Sequence, residues 1–228
     1  MNRWKEIWNS RKVGDAGSIL EKLLTADGYD SVFGKMAVTP FMSYISRIRA
    51  ELGIGEKDAV FEVGCGAGAV LYPFYARSHV VSGLDYSRSL VALAASTMPD
   101  MAFHVGDADQ VDIAQTFDTV LSCGTFIYFE SYDYAWNVIM RMVQKAKKTI
   151  GIFDISDLAL KSEAETLRRE GMGAKDYELK YRGLEHMYYP QSFFKDAARE
   201  SGCAIRIFPQ SIQGYQNSSY RYNVVLVK

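Results

Sequence analysis

Three acidic side chains follow the ends of successive apolar runs in the first half of the chain. Glu62 lies two residues before a glycine triplet, Asp85 ends the next run, and Asp107 follows the third. Glu62 would repel a pyrophosphate, but it can attract a cation such as an α-ammonium and accept its hydrogen bonds. Asp85 comes about 20 residues after the first glycine, a spacing typical of a carboxylate that binds ribose hydroxyls. Together they predict a nucleotide-type site that favours a cationic group.

The glycines at 64, 66 and 68 supply the backbone of this site. Each can adopt positive φ and let a ligand approach the main chain closely. A helical pattern begins at Ala69, and the first N–H groups of such a helix would point at the same ligand. A phosphate-binding P-loop is excluded because no Lys-Ser/Thr pair follows Gly68. Gly64, Gly66 and Ala69 do satisfy a dinucleotide fingerprint, so a nicotinamide-dependent oxidoreductase stays open as an alternative.

The elements that must position these residues alternate along the chain. Short apolar runs at 59–63, 80–85, 101–106, 117–122 and 149–155 predict strands, and helical patterns separate them. Thr39 and Pro40 predict the start of a helix that continues over 41–52, and His104 is expected in the core. Two strands without an intervening helix, 204–209 and 221–228, follow at the end. The pattern predicts an α/β fold: a doubly wound, seven-stranded, mostly parallel sheet with a C-terminal antiparallel β-hairpin.

Composition limits the classes of partner. The 228 residues predict one domain, and a net charge of −1 argues against a nucleic-acid partner, which would need a basic face. Three cysteines without CxxC spacing fit a reducing, cytoplasmic location and predict no metal site. The first 25 residues are charged and interrupted by glycines, so we expect neither a signal peptide nor a membrane partner.

The Glu-x-Gly-x-Gly-x-Gly sequence at 62–68, together with the strand layout, resembles the class I S-adenosylmethionine-dependent methyltransferases. The resemblance implies their Rossmann-like methyltransferase fold and S-adenosyl-L-methionine as cofactor. Segments 185–190 and 214–224 are similar to a bacterial small-molecule branch found around surface-polysaccharide and natural-product pathways. A small-molecule hydroxyl or amine acceptor is therefore expected. Strand four ends in Cys-Gly-Thr-Phe rather than the Asn/Asp-Pro-Pro-Tyr/Phe of nucleobase amino methyltransferases. A cofactor-binding regulatory protein without catalysis stays open as a third reading.

The resemblance also implies site residues. Glu62 and the glycines would hold the methionine part of the cofactor, Asp85 the ribose, and Asp107 the adenine amino group, with Tyr86 beside the ring. Trp8 and Arg11 would close over the methionine carboxylate, and Cys123 and Gly124 would lie along the cofactor. The full set of expected cofactor residues is Trp8, Arg11, Glu62, Gly64, Cys65, Gly66, Gly68, Asp85, Tyr86, Gly106, Asp107, Ala108, Cys123 and Gly124.

The acceptor side is expected from the C-terminal part of the chain. His186, in a segment that can cross the carboxyl edge of the sheet, is the candidate general base, and Asp154 is the second, unless it caps the following helix. The loop between the last two strands must pass over the same edge. Loss of Tyr215 or Arg221 is therefore expected to weaken acceptor binding while leaving the fold intact. The expected substrate residues are Tyr128, Tyr188, Tyr215, Asn217, Arg221 and Asn223.

We expect one methyltransferase domain, 1–228, that consists of three parts. Residues 1–38 would form an N-terminal flap, and 39–160 the cofactor-binding core. Residues 161–228 would supply a substrate-side insertion and the closing hairpin.

Overall fold

A computed structural model describes residues 3–11, 17–30 and 35–228, so parts of the expected N-terminal flap lie outside the described residues. One seven-stranded sheet has the order β3-β2-β1-β4-β5-β7-β6. The strands are β1 (Val60–Val63), β2 (Val81–Asp85), β3 (Ala102–Val105), β4 (Phe117–Cys123), β5 (Ala146–Ser156), β6 (Ala204–Pro209) and β7 (Arg221–Val227). The α-helices are α1 (Arg3–Asn9), α2 (Ile19–Ala26), α3 (Val38–Leu52), α4 (Tyr72–Tyr75), α5 (Arg88–Thr97), α6 (Tyr132–Lys145), α7 (Lys161–Met172), α8 (Ala174–Tyr181) and α9 (Gln191–Ser201).

The topology confirms the predicted fold class. Strands β1 to β5 pair in parallel, whereas β7 is antiparallel to both of its neighbours. Strand β1 lies between β2 and β4, so the chain reverses its direction of winding there. In open α/β sheets, ligands bind outside the carboxyl ends of the strands at such a reversal. The glycine triplet follows β1, and it therefore lies in this crevice.

Local sequence explains where several helices begin and end. In α2 the Ser18 hydroxyl accepts from the Glu21 amide, while the Glu21 carboxylate accepts from the Ser18 amide, which is a capping box. Ser87 caps α5 as its position predicts. Ser131 caps α6 in the same way, and Gly53 ends α3 in the left-handed conformation.

Two apolar cores lie on opposite faces of the sheet. One includes Phe41 and Ile48 of α3 together with the buried side of α2 and α5. The other includes Ile139 of α6 and Phe194 of α9. Helices on both faces bury β1 completely and β4 almost completely, which is why these two strands read as mainly apolar runs.

Three local predictions are wrong. The helix expected from Ala69 shortens to the single turn α4, because Pro73 lacks an N–H and cannot continue the hydrogen-bond ladder. Helix α3 begins at Val38, so Thr39 lies inside its first turn and makes no capping bond. His104 is exposed rather than in the core, because β3 is an edge strand with one face uncovered.

A β-bulge interrupts β5 near its carboxyl end. The pairing with β7 shifts register between Ile152 and Ile155, and Asp154 adopts a φ of 63°. Aspartate tolerates the left-handed region better than most residues. Bulges commonly re-aim one side chain beside a site, and here the bulge turns Asp154 toward the cleft.

Within the parts of the chain that the structure describes, no helix combines the length and apolar character that crossing a membrane requires.

Candidate active site

A cleft of about 580 Å³ lies over the carboxyl ends of the central strands. We call its end beside the glycine triplet the acidic half, defined by Asp27, Glu62 and Asp85. We call the opposite end the arginine half, which comprises Arg168, His186, Tyr215, Asn217 and Arg221. Helix α1 covers part of the cleft with Trp4 and Trp8.

Glycines in this loop allow neighbouring side chains to pack directly against its backbone. Gly64 has a φ of 74° and Gly66 a φ of 51°. A Cβ at Gly64 would collide with Thr125, and one at Gly66 would collide with the Asp27 carboxylate. Both glycines line the cleft, but Gly68 does not. The expectation that Gly68 contacts the cofactor therefore fails, because this glycine makes room for the Met98 side chain, 2.6 Å from where its Cβ would be.

Asp27 enters this loop from a distant part of the sequence. Its two oxygens accept from the amides of Ala67 and Ala69, at 2.6 and 2.9 Å. Loss of solvent around the carboxylate raises the pKa of Asp27 to about 7, although the two backbone donors act in the opposite direction. Asp27 was not predicted, since no motif accompanies it and only the tertiary fold brings it to the glycines.

This raised pKa predicts a pH dependence of stability. The ordinary value is 3.8, so between about pH 4 and pH 7 folding takes up a proton at Asp27 and its contribution to stability falls as pH rises. Asp27→Asn cannot take up this proton. We expect the unfolding free energy of the variant, relative to wild type, to increase from pH 5 to pH 7.5 in chemical denaturation. Parallel profiles for the two proteins would contradict the assignment.

Glu62 and Asp85 complete the acidic half. Glu62 is 2% exposed, and its Oε2 has no hydrogen-bond partner among the described residues. Burial, followed by the charges of Asp27 and Asp85, raises the pKa of Glu62 well above 4.5. Asp85 accepts from the amides of Gly66 and Ser87, at 3.0 and 2.8 Å, and burial raises its pKa as well. Three crowded carboxylates create a strong preference for a cation.

The expected adenine end lies next to Asp85. Tyr86, Gly106, Asp107 and Ala108 all line the cleft. Lys5 of α1 forms an ion pair with Asp107 and lies 5.5 Å from the centre of the Tyr86 ring. The structure therefore brings these four predicted residues together with a fifth, Lys5, which was not predicted.

Aromatic rings form the wall between the two halves. Tyr128 lies edge-on to Trp4 and Trp8, with ring centres 4.8 and 5.4 Å away. Arg11 lies over the Trp8 ring at 5.3 Å, and the Trp8 Nε1 has no partner among the described residues. Cys123 is within reach of two tyrosine hydroxyls, those of Tyr29 and Tyr44, whose role was not predicted. Cys65 and Gly124 also line the cleft.

Asp154 is the centre of a buried polar cluster, and this contradicts its assignment as a free base. It forms an ion pair with Arg221, and it accepts from Tyr215 at 2.9 Å and Gln210 at 3.2 Å. Its backbone amide donates to Asn223 at 2.9 Å. With its carboxylate bound in this way, Asp154 positions Arg221. It does not cap the next helix either, where Asp157 accepts from Ala159.

The same cluster overturns the expectation that Arg221 can be removed without harm to the fold. The side chains of Arg221 and Asp154 are 5% and 6% exposed, so neither charge can be rehydrated when its partner is lost. Asn223 is as deeply buried and lies outside the cleft lining, where it donates to Gln210 at 3.1 Å. It supports the cluster instead of touching an acceptor.

His186 lies against the aromatic wall and faces the arginine half. Its ring stacks on Trp4 with centres 5.0 Å apart and an 11° angle between planes. Burial, then the positive charges of Arg168 and Arg221, lowers the pKa of His186 well below 6.5. The imidazole is therefore neutral at physiological pH, and it can accept a hydrogen bond or a proton.

Tyr188 does not reach the cleft, contrary to its assignment as a substrate residue. Its hydroxyl accepts from the Nη1 of Arg168 at 2.8 Å, so Tyr188 orients that guanidinium without lining the cleft itself. Arg168 lies on α7 and lines the cleft. It was missed because the charged helix around it reads as a solvated surface. Tyr128, Tyr215, Asn217 and Arg221 do line the cleft, as expected.

These residues fit the cofactor that the resemblance implies. Gly64 and Gly66 line the cleft, and the unpartnered Glu62 oxygen offers an acceptor to an ammonium group. Glu62, Gly64 and Gly66 would hold the methionine part, and Asp85 the ribose. The crowded acids also suit a cationic sulfonium far better than a pyrophosphate.

Comparison with known proteins defines the class. Residues 60–148 match the family described as a methyltransferase domain. The fold matches a magnesium protoporphyrin IX methyltransferase from Synechocystis, solved with S-adenosylhomocysteine, with a TM-score of 0.63 at 17% identity over 99% of this chain and 93% of that one. It also matches an amino pentose methyltransferase from Micromonospora echinaspora, solved with S-adenosylmethionine, with a TM-score of 0.60 at 14% identity over 95% and 99% of the two chains.

Residues 60–148 thus match a methyltransferase domain, and the predicted resemblance to class I S-adenosylmethionine-dependent methyltransferases is confirmed. The cofactor of this class is S-adenosyl-L-methionine. A sequence relative from Saccharopolyspora spinosa, a dTDP-4-amino-2,3,4,6-tetradeoxy-D-glucose N,N-dimethyltransferase, is 28% identical over 52% of this chain and 49% of its own length. The chain spans between 37% and 52% of the length of the curated relatives that it matches.

Proposed function

We propose that this protein transfers a methyl group from S-adenosylmethionine to a hydroxyl or amine of a small molecule of the sugar or natural-product type. The observation that carries the proposal is the division of one cleft into an acidic half and an arginine half, with His186 facing the second. The acidic half suits a cationic cofactor, and the rest of the cleft is left for an acceptor. The relatives, which include amino-sugar methyltransferases, support this substrate class.

In the proposed reaction, S-adenosylmethionine supplies a methyl group that its positive sulfur activates. The protein aligns the acceptor along the line of transfer and removes a proton. His186 is the proposed base, because its neutral imidazole lies in the cleft beside the aromatic wall. Tyr128 and Tyr215 offer the acceptor apolar and hydrogen-bonding surface. Residues 1–38 act as the closing flap, with Trp4 and Trp8 covering the cleft.

The direct test of the proposed function combines binding and turnover. Calorimetry should detect binding of S-adenosylmethionine and S-adenosylhomocysteine at micromolar concentrations. A panel of amino and hydroxy sugars should then be screened for transfer of a labelled methyl group. Tighter binding of a nicotinamide dinucleotide would replace the proposal with the oxidoreductase alternative. Cofactor binding without transfer to any acceptor would favour a non-catalytic role.

Loss of the proposed base should affect turnover and spare cofactor binding. We expect His186→Ala to lower kcat by about 10²–10⁴-fold, with the cofactor Kd almost unchanged. Because burial, and then the charges of the two arginines, hold the pKa of His186 well below 6.5, the rising limb of the wild-type pH profile should lie below pH 6.5. His104→Ala, on the exposed edge strand, is the matched control. A His186→Ala enzyme with wild-type kcat would contradict the assignment.

A further inference from the structure

Arg168 is a buried cation that has no acidic partner among the described residues. The residue is 4% exposed, and its Nη1 donates to the Tyr188 hydroxyl at 2.8 Å. Tyr177 is a second phenol that hydrogen-bonds to it. No carboxylate within the described ranges forms an ion pair with Arg168. Glu165, one turn earlier on α7, pairs instead with Lys161 at 3.8 Å. Two neutral phenols orient the guanidinium, but neither offsets its charge.

The second arginine of the cleft makes a useful contrast. Arg221 is equally buried, but Asp154 neutralises it, and Tyr215 accepts from it at 2.8 Å. A guanidinium carries five N–H donors in a rigid fork, which matches a carboxylate or a phosphate. Burial of an unpaired charge is unfavourable, so a ligand that supplies the counter-charge would bind favourably there. Among the residues that the structure describes, the arginine half therefore carries one uncompensated positive charge, opposite the carboxylates of the acidic half.

We propose that the acceptor carries an anionic group, a carboxylate or a phosphate, and that Arg168 binds it at the end of the cleft away from the glycine loop. The inference rests on the proposed function, because it assigns a subsite to the acceptor of that reaction. The anion fixes one end of the acceptor, so its hydroxyl or amine extends past His186 toward the glycine loop. Arg168 thereby selects acidic acceptors and sets their direction in the cleft.

Simple anions can probe this subsite before the acceptor is known. Sodium phosphate and sodium acetate are titrated separately into protein saturated with S-adenosylhomocysteine, at constant ionic strength, and binding is followed by calorimetry. We expect wild type to bind at least one of them with a millimolar Kd. Preference for phosphate indicates a phosphorylated acceptor, and preference for acetate indicates a carboxylate. Absence of binding by both anions up to 100 mM would overturn the proposal.

Three variants locate the binding. Arg168→Gln should weaken anion binding at least tenfold. Arg168→Lys keeps the charge but not the guanidinium fork, so its loss of anion affinity should be smaller. Arg169→Gln, at the exposed neighbouring position that pairs with Glu178, should bind as wild type does. Equal anion affinity in Arg168→Gln and wild type would overturn the proposal. Melting temperatures are measured alongside, and the Lys variant serves if the Gln variant fails to fold.

A readout in the wild-type protein avoids any question of folding. Arg168, Arg221 and the rings of Trp4, Tyr128 and Tyr181 surround His186. An anion on Arg168 should raise the pKa of His186 in an NMR titration, with His79 and His104 as internal controls. An anion that binds without moving this pKa lies elsewhere and overturns the proposal. The same anion titration without S-adenosylhomocysteine tests Arg168 even when the cofactor assignment fails, so the two failures are distinguishable.

Discussion

Replacement of Arg221 by methionine should lower the free energy of unfolding by about 3–5 kcal/mol, because it leaves the Asp154 carboxylate buried without a counter-charge. Methionine keeps much of the side-chain volume, so the effect isolates the charge from the packing. The Tyr215 hydroxyl loses a donor at the same time. The measurement is chemical denaturation near pH 7, with the melting temperature as a second readout.

The matched control for this effect is the double variant Arg221→Met/Asp154→Asn. Asparagine tolerates the left-handed backbone of position 154, so it removes the charge without adding strain. We expect the double variant to recover at least half of the lost stability, since the two sites share one network. Losses that simply add, or a loss below about 1 kcal/mol for Arg221→Met alone, would show that the ion pair is not the centre of the cluster.

Glu62→Gln should have opposite effects on stability and on cofactor affinity. Burial raises the folded-state pKa of Glu62 well above 4.5, so Glu62 makes the folded state less stable as the pH rises from 4.5 toward that raised pKa. Glutamine mimics the protonated side chain and removes this dependence. We therefore expect the ligand-free variant to be more stable than wild type at pH 8, as often happens when a functional residue is lost.

The same substitution should weaken binding of S-adenosylmethionine by about 10- to 100-fold, because a hydrogen bond to a charged group contributes roughly 1.5–3 kcal/mol. Calorimetry measures this loss. Glu200→Gln, at an exposed position of α9, should change neither property. A Glu62→Gln variant that binds the cofactor as wild type does would remove Glu62 from the site. A variant that is less stable at pH 8 would mark Glu62 as structural.

That the residues proposed for the cofactor share one cleft was predictable, because they follow strand ends that the sequence itself marks. Gly64, Asp85 and Asp107 each follow an apolar run, and parallel strands bring their carboxyl ends to one edge. Asp27 was not predictable in this way, because it follows a short helix and only tertiary packing carries it to the Ala67 and Ala69 amides. Its spacing from the glycines in sequence carries no signal.

The acceptor side was harder for two physical reasons. Arg168 lies on a helix of mostly charged residues, where a buried arginine looks the same as its exposed neighbours. Asp154 was expected to be available as a base, because no local sequence pattern predicts the β-bulge that turns it toward Arg221. Alternation along β7 puts Arg221 and Asn223 on one face, yet only Arg221 of the two lines the cleft.

The bulge in β5 also gives the acceptor side a built-in reporter. The residues of this strand on either side of Asp154 pair with β4 or β7, but the Asp154 amide donates to the Asn223 side chain. Its exchange with solvent deuterium therefore depends on a side-chain network and not on the sheet. Loosening of the cluster by a mutation or a change of pH would speed deuterium uptake at this one position while the neighbouring strand positions stay protected. The integrity of the arginine half can thus be followed at a single backbone proton, without any knowledge of the acceptor.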